Sequence, residues 1–251
     1  MLALLSDIHA NIQALQACLA HARAQGATRY ALLGDFVGYG ADPCAVLDTV
    51  MALAHDGALV IKGNHDVLAA TPAQDGPAKT MDASAAVWTR SQLNAGHRAF
   101  LLGLPLTRQS GECLLVHAGA EAPERWHYVE DARSAGASLE AAMAAPGVRL
   151  VFGGHVHHQT LYYRGAGRGL MPFVPTAGVP VPLARSRQWI ATVGSVGQPR
   201  DGDTRAMYAM FDTAQGRLTF CRVPYDQAAA AAAIRRSGQP ESFAKRLEDG
   251  R

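Results

Sequence analysis

The chain has 251 residues, of which 49% are apolar and 18% are charged. This composition supports a buried core and excludes disorder over most of the chain. Lys and Arg number 23 and Asp and Glu number 21, a net charge of +2 that argues against binding nucleic acid by charge alone.

The cysteines and the N-terminal segment bear on the cellular compartment. The four cysteines are far apart and form no C-x-x-C pair, which favours a reducing compartment over a disulfide framework. The segment before Asp7 has no basic region, so it does not resemble a signal peptide. No apolar run approaches the ~18 residues of a membrane span. The sequence therefore predicts a cytoplasmic protein with no membrane partner.

The N-terminal part of the chain alternates strands and helices. Short apolar runs predict buried strands at Leu2–Leu5, Tyr30–Leu33 and Ala58–Ile61. Helical spacing predicts helices over Asn11–Arg23 and Ala45–Ala54. This order predicts parallel strands joined by right-handed crossovers, and ligands of such sheets bind beyond the carboxyl ends of the strands.

Residues 71–100 interrupt this pattern. The segment 71–80 is rich in Pro, Gly and Ala and predicts a loop. The segment Met81–Asn94 predicts a helix that carries Trp88 and Arg90. We interpret 71–100 as a cap or lid above the sheet rather than as a separate domain.

The remaining segments predict a second group of strands. From about residue 160 onward, short β runs with tight turns are typical of antiparallel pairing. An alanine-rich run at 228–233 predicts a surface helix. Without an internal repeat or a linker, residues 1–251 are predicted to form a single domain. The predicted strands are Cys113–Val116, Arg149–Phe152, Ile190–Val193, Met207–Asp212 and Leu218–Val223.

Side chains of metal-binding type follow five of the predicted buried strands. Five of the ten histidines fall at these strand ends. A single histidine there is usually a hydrogen-bonded loop residue, and a single Asp is usually a turn former. Those interpretations fail jointly, because five strands would have to end independently in such groups. The residues are Asp7, His9, Asp35, Asn64, His65, His117, His155 and His157.

The residue types indicate the class of metal. Imidazole and carboxylate together suit Mn, Fe, Co, Ni and Zn, and the lack of a cysteine excludes a structural thiolate zinc site. Even seven of these eight residues are too many ligands for one catalytic ion that keeps an open position. They suit two ions that share a carboxylate and lie about 3.5–4 Å apart. The residue types alone do not separate His65 from the ligands.

Five sequence blocks occur in a recognisable order: Asp7-Ile8-His9, Gly34-Asp35, Gly63-Asn64-His65-Asp66, His117 and Gly154-His155-Val156-His157. In this order they resemble the calcineurin-like metallophosphoesterase family. Ser6–Asn11, Gly34–Gly40 and Gly194–Arg200 further resemble one bacterial branch, which includes phosphodiesterases and enzymes that cleave dinucleoside polyphosphates. The resemblance implies an α/β fold: a four-layer sandwich of two mixed β-sheets face to face, flanked by helices.

The resemblance also implies a role for each candidate residue. Asp7, His9 and His157 would bind the first metal, and Asn64, His117 and His155 the second. Asp35 would bridge the two ions, among which Mn is favoured. A hydroxide held between them would attack phosphorus in line. His65 matches the family's non-ligand histidine, which stabilises or protonates the leaving oxygen.

Candidate substrate contacts carry a weaker signal, and each has a structural alternative. Arg200 ends a glycine-rich run and either grips a second phosphate or is a surface arginine after a turn. Trp88 either stacks on a nucleobase of the substrate or packs the excursion formed by residues 71–100 onto the rest of the protein. Arg90 is a further candidate from the excursion, and Tyr39 is a candidate for lining the cleft.

We therefore predict a metal-dependent hydrolase of phosphoester or phosphoanhydride bonds, with a small phosphodiester or a dinucleoside polyphosphate as substrate. A protein phosphatase is the alternative enzyme, although no device for binding a peptide is evident. A non-catalytic scaffold of the same fold is the alternative of another class, but all predicted ligands and His65 are present. No nucleic-acid partner and no particular oligomeric state are predicted.

Overall fold

The computed structural model of the protein describes residues 1–72, 80–165 and 169–251. In this part the chain forms two six-stranded mixed β-sheets packed face to face and flanked by helices. This architecture confirms the predicted α/β sandwich. Residues 73–79 of the predicted excursion at 71–100 lie outside the described residues. No helix in the described ranges is both long and apolar enough to cross a membrane.

The first sheet combines the N-terminal strands with strands from the C-terminal part of the chain. The strands β1 (Leu2–Leu5), β2 (Arg29–Leu32) and β3 (Leu59–Val60) are parallel, and β1 pairs in the antiparallel sense with β11 (Ala206–Asp212). The remaining pairs are antiparallel. In spatial order the strands are β3 (Leu59–Val60), β2 (Arg29–Leu32), β1 (Leu2–Leu5), β11 (Ala206–Asp212), β12 (Arg217–Val223) and β9 (Pro180–Pro182).

The second sheet is built in the same way around three parallel strands. β5, β6 and β10 are parallel, and antiparallel strands extend the sheet on both sides. In spatial order the strands are β4 (Thr107–Ser110), β5 (Cys113–Val116), β6 (Leu150–Gly153), β10 (Gln188–Val193), β7 (Gln159–Arg164) and β8 (Leu170–Phe173).

The alternation of side chains along each strand divides the core into layers. In β1, Leu2 and Leu4 face the second sheet, whereas Ala3 and Leu5 face the outer helices. Between the sheets, the ring of Phe152 on β6 lies 5.3 Å from that of Phe211 on β11. Strands buried on both faces therefore read as the continuous apolar runs of the sequence.

The helices cover the outer faces and the edge at which the parallel strands end. Helices α1 and α2 pack on the first sheet, α6 packs on the second, and α3 packs against both α4 and α5. Helices α7 and α8 form a hairpin that packs against α1. Their bounds are α1 (Ile12–Ala24), α2 (Pro43–His55), α3 (Asn64–Ala70), α4 (Met81–Gln92), α5 (Ala95–Gly103), α6 (Ala132–Ala142), α7 (Gln227–Arg236) and α8 (Glu241–Asp249).

One predicted helix differs from the structure in a way that capping explains. The helix predicted over Met81–Asn94 ends at Gln92, and a separate helix, α5, begins at Ala95. Asn94 is the N-cap of α5, because its Oδ1 accepts a hydrogen bond from His97 N at 2.8 Å. Asn94, which the sequence placed at the end of one helix, is thus the residue that begins the next helix.

The inter-sheet core predicts a large effect for one substitution. Phe152→Ala should lower the free energy of unfolding by about 3–5 kcal/mol, because it removes a fully buried ring and leaves a cavity. Urea unfolding measures this loss. Phe173→Ala is the matched control in the same sheet, since its ring is 42% exposed and its removal should change stability much less. Equal losses in the two variants would contradict the assignment of Phe152 to the core between the sheets.

Candidate metal centre

The carboxyl ends of the parallel strands from both sheets meet at one edge of the sandwich. The loops after β1 to β3 come from the first sheet, and those after β5, β6 and β10 come from the second. Asp7 N donates to Gly34 O at 3.0 Å, and Asp7 O accepts from Gly197 N at 2.9 Å. Gly154 N donates to His117 O at 2.9 Å. These backbone hydrogen bonds join the loops of both sheets into one continuous surface.

These loops bring together the metal-binding residues predicted from the sequence. Their ligand-type atoms lie within 4.8 Å of one another in three groups: Asp7, His9 and His157; His9, Asp35 and His65; and Asp35, His117 and His155. His9 and Asp35 each belong to two groups, so the groups form one continuous cluster. All seven of these residues are buried. Asn64, which begins α3 beside His65, is partly buried.

The two carboxylates lie at the middle of the cluster. His157 Nε2 is 3.4 Å from Asp7 Oδ1, and His117 Nε2 is 3.3 Å from Asp35 Oδ2. His9 Nε2 lies 3.8 Å from Asp7 Oδ1 and 3.9 Å from Asp35 Oδ2. Each carboxylate therefore faces imidazole nitrogens from more than one loop.

Backbone carbonyls orient three of the histidines. The Nδ1 atoms of His9, His117 and His157 lie 3.1, 2.8 and 2.6 Å from the carbonyl oxygens of Val37, Leu33 and Gln198, respectively. A carbonyl oxygen only accepts, so each Nδ1 carries a proton and donates it. Each Nε2 is thereby turned toward the carboxylates, which is how proteins commonly prepare a histidine to bind a metal.

The buried polar atoms of the cluster fit a bound cation. His9 Nε2 and His157 Nε2 lie 3.0 Å apart. When both are neutral, two lone pairs face each other, an arrangement that a cation between them would stabilise. Asp7 Oδ1, Asn64 Oδ1, His117 Nε2 and His155 Nε2 are buried without a hydrogen-bond partner in the described ranges. Buried polar atoms left unpaired are unfavourable, and coordination would satisfy all of them.

The charges of the cluster compensate one another. Burial raises the pKa of Asp7, but the imidazoles of His157 and His117 hold it below its ordinary value. Burial lowers the pKa of His117, but Asp35 and Asp7 raise it to about 10. Burial and the neighbouring His117 lower the pKa of His155 to about 4. The carboxylates are thus ionised at neutral pH and draw positive charge to the centre of the cluster.

The backbone is strained at five of the candidate ligands. Asp7, His9, Asp35, His155 and His157 have φ values of 53°, 48°, 54°, 69° and 58°. A left-handed conformation is uncommon for residues with a side chain and costs of the order of 1–2 kcal/mol each. These sharp turns at the strand ends allow side chains two residues apart, such as those of Asp7 and His9, to enter the same cluster.

Asp66 has a structural role that the sequence left unassigned. Its carboxylate is fully buried and accepts from the backbone N–H groups of Gly63 and Asp35, at 2.9 and 2.8 Å, and of Phe36, at 2.9 Å. It therefore clamps the loop after β2 to the start of α3. Burial and the nearby Asp35 carboxylate raise the pKa of Asp66 to about 7.

His65 lies in the part of the cluster that is next to Tyr39. Its backbone N–H donates to Asp35 Oδ1 at 2.8 Å, and its ring lies 5.0 Å from that of His9. Its Nδ1 is buried without a partner, and a Cβ atom on Gly38 would lie 2.7 Å from it. This leaves Nε2 as the ring nitrogen available to a substrate. His65 is as close to the cluster as the candidate ligands are, so distance alone does not separate their roles.

Two of the predicted substrate residues lie next to the cluster. The ring of Tyr39 is 4.8 Å from that of His9 and 4.6 Å from that of His65. The guanidinium carbon of Arg200 lies 5.9 Å from the centre of the Tyr39 ring. Arg200 also donates to Gln198 Oε1 at 2.9 Å. Tyr39 and Arg200 thus line the same side of the cluster.

The two candidates on α4 are placed differently. Arg90 donates to the carbonyl oxygen of Leu68 at 2.6 Å and so joins α4 to α3. Trp88 is partly buried. In the part of the chain that the structure describes, neither side chain forms a hydrogen bond or an aromatic contact with a candidate ligand.

Two further residues near the cluster escaped the sequence analysis. Tyr128 lies with its ring 4.1 Å from that of His155 and at 33° to it, and the residue is half-exposed. The guanidinium carbon of Arg246 on α8 lies 5.8 Å from the centre of the Tyr39 ring. The aromatic run Trp126-His127-Tyr128 after the His117 block was an available signal for the first. No sequence pattern marks Arg246.

Comparisons with known proteins identify the family of the chain. The model of the calcineurin-like phosphoesterase superfamily domain matches residues 1–216. An uncharacterized protein of Methanocaldococcus jannaschii is 30% identical over 267 residues, which cover 100% of this chain and 98% of that protein. A metallophosphoesterase of Sphaerobacter thermophilus has a similar crystal structure, with 35% identity and a TM-score of 0.86 over 100% of this chain and 98% of that one.

A hypothetical protein of Pyrococcus horikoshii shares the fold at 19% identity. Its TM-score is 0.76, over 100% of this chain and 99% of that one. The similarities to whole proteins therefore extend beyond residue 216 and include the C-terminal helices.

Close packing at Gly154 predicts a sensitive position. A Cβ atom there would lie 1.9 Å from Ser6 Oγ and 2.3 Å from Asp7 Oδ2. Gly154→Ala should therefore lower the free energy of unfolding by about 1–3 kcal/mol and weaken metal binding, because Asp7 must move. Urea unfolding and calorimetric titration with Mn²⁺ measure the two effects.

Gly103→Ala is the matched control for this substitution. Gly103 ends α5, and a Cβ atom there would meet no atom within 4 Å. The control should keep or slightly raise stability. Wild-type Mn²⁺ affinity in a stably folded Gly154→Ala protein would contradict the placement of Asp7 against this glycine.

Proposed function

We propose that this chain, which belongs to the calcineurin-like phosphoesterase superfamily, is a hydrolase of phosphoester or phosphoanhydride bonds that uses two divalent cations. Members of the superfamily are generally hydrolases. One observation carries the proposal: two groups of ligand atoms, each with a carboxylate and two imidazoles, are linked by a third group that contains His9 of the first and Asp35 of the second. The third group of ligand atoms brings His65 to the same point.

The candidate ligands divide naturally between two ions. Asp7, His9 and His157 would hold one ion, and His117, His155 and Asn64 the other, with Asp35 shared. Mn²⁺ is the favoured ion among Mn, Fe, Co, Ni and Zn, all of which suit mixed imidazole and carboxylate ligands. When bound, such ions supply Lewis acidity, an activated water nucleophile and compensation for charge on the phosphoryl oxygens.

The protein's own groups perform the remaining tasks. Asp7 and Asp35 keep their negative charge through the neighbouring imidazoles and so hold the cations. The carbonyls behind His9, His117 and His157 fix the ring orientations before a substrate binds. His65 Nε2 faces the substrate and donates a proton to, or hydrogen-bonds with, the leaving oxygen.

The surroundings of the cluster favour a small substrate with a planar group. Tyr128 is half-exposed and already lies against His155, so its free face offers a platform on which a nucleobase or aryl group can stack. We therefore propose a small phosphodiester or a dinucleoside polyphosphate as the substrate class. The four cysteines are all free, which supports our proposal that the protein acts in the reducing cytoplasm.

Hydrolysis by the Mn²⁺-loaded protein tests the proposal. We expect turnover of bis(p-nitrophenyl) phosphate and of diadenosine tetraphosphate. The products of the latter, two ADP or ATP plus AMP, identify the phosphorus that is attacked. Asp35→Asn should lower kcat/KM by about 100-fold or more on both substrates, because the shared carboxylate loses its charge. Failure of the metal-loaded wild type to hydrolyse any phosphoester would contradict the proposal.

The role of His65 is tested separately by the leaving group. His65→Gln should lower kcat by about 100-fold or more when the leaving group is an alkyl alcohol or a nucleoside hydroxyl, whose strongly basic alkoxide needs a proton, as expected for loss of a general acid. The loss should be smaller with p-nitrophenolate, which departs without a proton. His55→Gln is the control, since His55 is exposed at the end of α2. An equal loss on both classes of leaving group would argue against proton donation by His65.

A further inference from the structure

The C-terminal helical hairpin borders the candidate metal centre, although the superfamily model ends before it, at residue 216. Gln239, in the turn between α7 and α8, donates from Nε2 to the carbonyl oxygen of Gly40 at 2.9 Å. Phe243 on α8 is fully buried, with its ring 5.2 Å from that of Tyr39. The hairpin thus braces the loop that carries Tyr39 beside His9 and His65.

Contacts with its ring and with its hydroxyl hold the Tyr39 side chain in place. Its ring is 4% exposed and lies between the imidazoles of the cluster and Phe243. Its hydroxyl donates to Asp82 on α4. A ring held in this way gives neighbouring side chains a defined position relative to the metal centre.

Two guanidinium groups lie against this ring. The guanidinium carbons of Arg200 and Arg246 are 5.9 and 5.8 Å from the centre of the Tyr39 ring, within the range of a cation–π contact. Both residues are partly buried. Arg200 comes from the loop after β10, and Arg246 comes from α8, so two distant segments supply them.

Neither guanidinium is neutralised. Across the described ranges, no carboxylate lies within ion-pair distance of Arg200 or Arg246, whereas Arg149, Arg222 and Arg235 all pair with acidic side chains. Among the residues that the structure describes, Arg200 bonds only to the neutral amide of Gln198, and the Arg246 side chain forms no hydrogen bond. Two uncompensated cations next to a site for phosphoryl chemistry indicate an anionic partner that comes with the substrate.

We propose that Arg246 and Arg200 form a subsite for a second phosphate of the substrate, adjacent to the phosphate that is attacked. The guanidinium fork matches two phosphate oxygens, and the Tyr39 ring holds it in place before the substrate arrives. The subsite rests on the proposed function and narrows it: the preferred substrates carry a phosphoanhydride-linked phosphate. The C-terminal hairpin, through Arg246, then contributes to substrate selection.

Selectivity between two substrates tests the subsite. Diadenosine tetraphosphate carries additional phosphates, whereas bis(p-nitrophenyl) phosphate carries a single one. Arg246→Ala should lower the ratio of kcat/KM on the first to kcat/KM on the second by about tenfold or more, as expected for loss of hydrogen bonds to a charged group. The change should lie mainly in KM. Arg246→Lys keeps the charge but loses the fork, and should lower the ratio less.

Lys245→Ala is the matched control. Lys245 is the exposed neighbour of Arg246 on α8, and its loss removes the same charge from the same helix. This variant should leave the ratio as it is in the wild type. A ratio unchanged in a folded Arg246→Ala protein, or equal shifts in both alanine variants, would overturn the subsite and leave the proposed function intact.

A binding measurement keeps the two proposals distinguishable. Methylenediphosphonate carries two phosphonate groups joined by a bond that cannot be hydrolysed, whereas orthophosphate has a single phosphate group. On the Mn²⁺-loaded protein, Arg246→Ala should weaken methylenediphosphonate binding about tenfold relative to orthophosphate binding. This result without hydrolysis of any phosphoester by the wild type would support the subsite and overturn the hydrolase. Equal weakening of both ligands would overturn the subsite whether or not the protein hydrolyses phosphoesters.

Discussion

Two carboxylates, Asp7 and Asp35, lie buried where the two sheets meet, and the surrounding loops are arranged to keep them charged. An unpaired carboxylate is strongly unfavourable in such a place. In the described ranges no lysine or arginine forms an ion pair with either one, and imidazoles surround them instead. A guanidinium would neutralise them permanently, because it does not give up its proton. An imidazole can release its proton and present a lone pair, so these neighbours leave room for a metal ion.

The backbone conformation follows from this arrangement. Asp7 and Asp35 stand in left-handed turns at φ values of 53° and 54°, where glycine would be less strained but would offer no ligand. The neighbouring Gly34 and Gly38 take positive φ values without this conflict. The strain is offset by the inter-sheet core, by backbone hydrogen bonds between the loops and, when ions bind, by their selective stabilisation of the folded state.

The sequence was most informative where the residues of a single strand predict its burial and its end. Leu2–Leu5 is apolar along its whole length because the strand is covered on both faces, and its end is marked by Asp7. The parallel order of β1, β2 and β3 follows from the helices between them. The insertion of β11 beside β1 does not, because antiparallel pairing across about 200 residues leaves no local pattern. Short helices such as α3 are also not predictable from the sequence. Asn64 and His65 stand at its start because the site requires them, and neither has a high helix propensity.

The candidate site divides in the same way. Its candidate ligands lie at strand ends and could be identified as a set, since four of the seven belong to two short blocks of sequence, Asp7-Ile8-His9 and His155-Val156-His157. The residues around the ligands could not. Asp66 acts through three backbone N–H groups that only the folded loops bring together, and Tyr128 and Arg246 are ordinary surface residues until the chain folds. The set of candidate ligands can therefore be identified from the sequence. The contacts that would select a substrate depend on how distant segments pack around Tyr39, and only the fold reveals them.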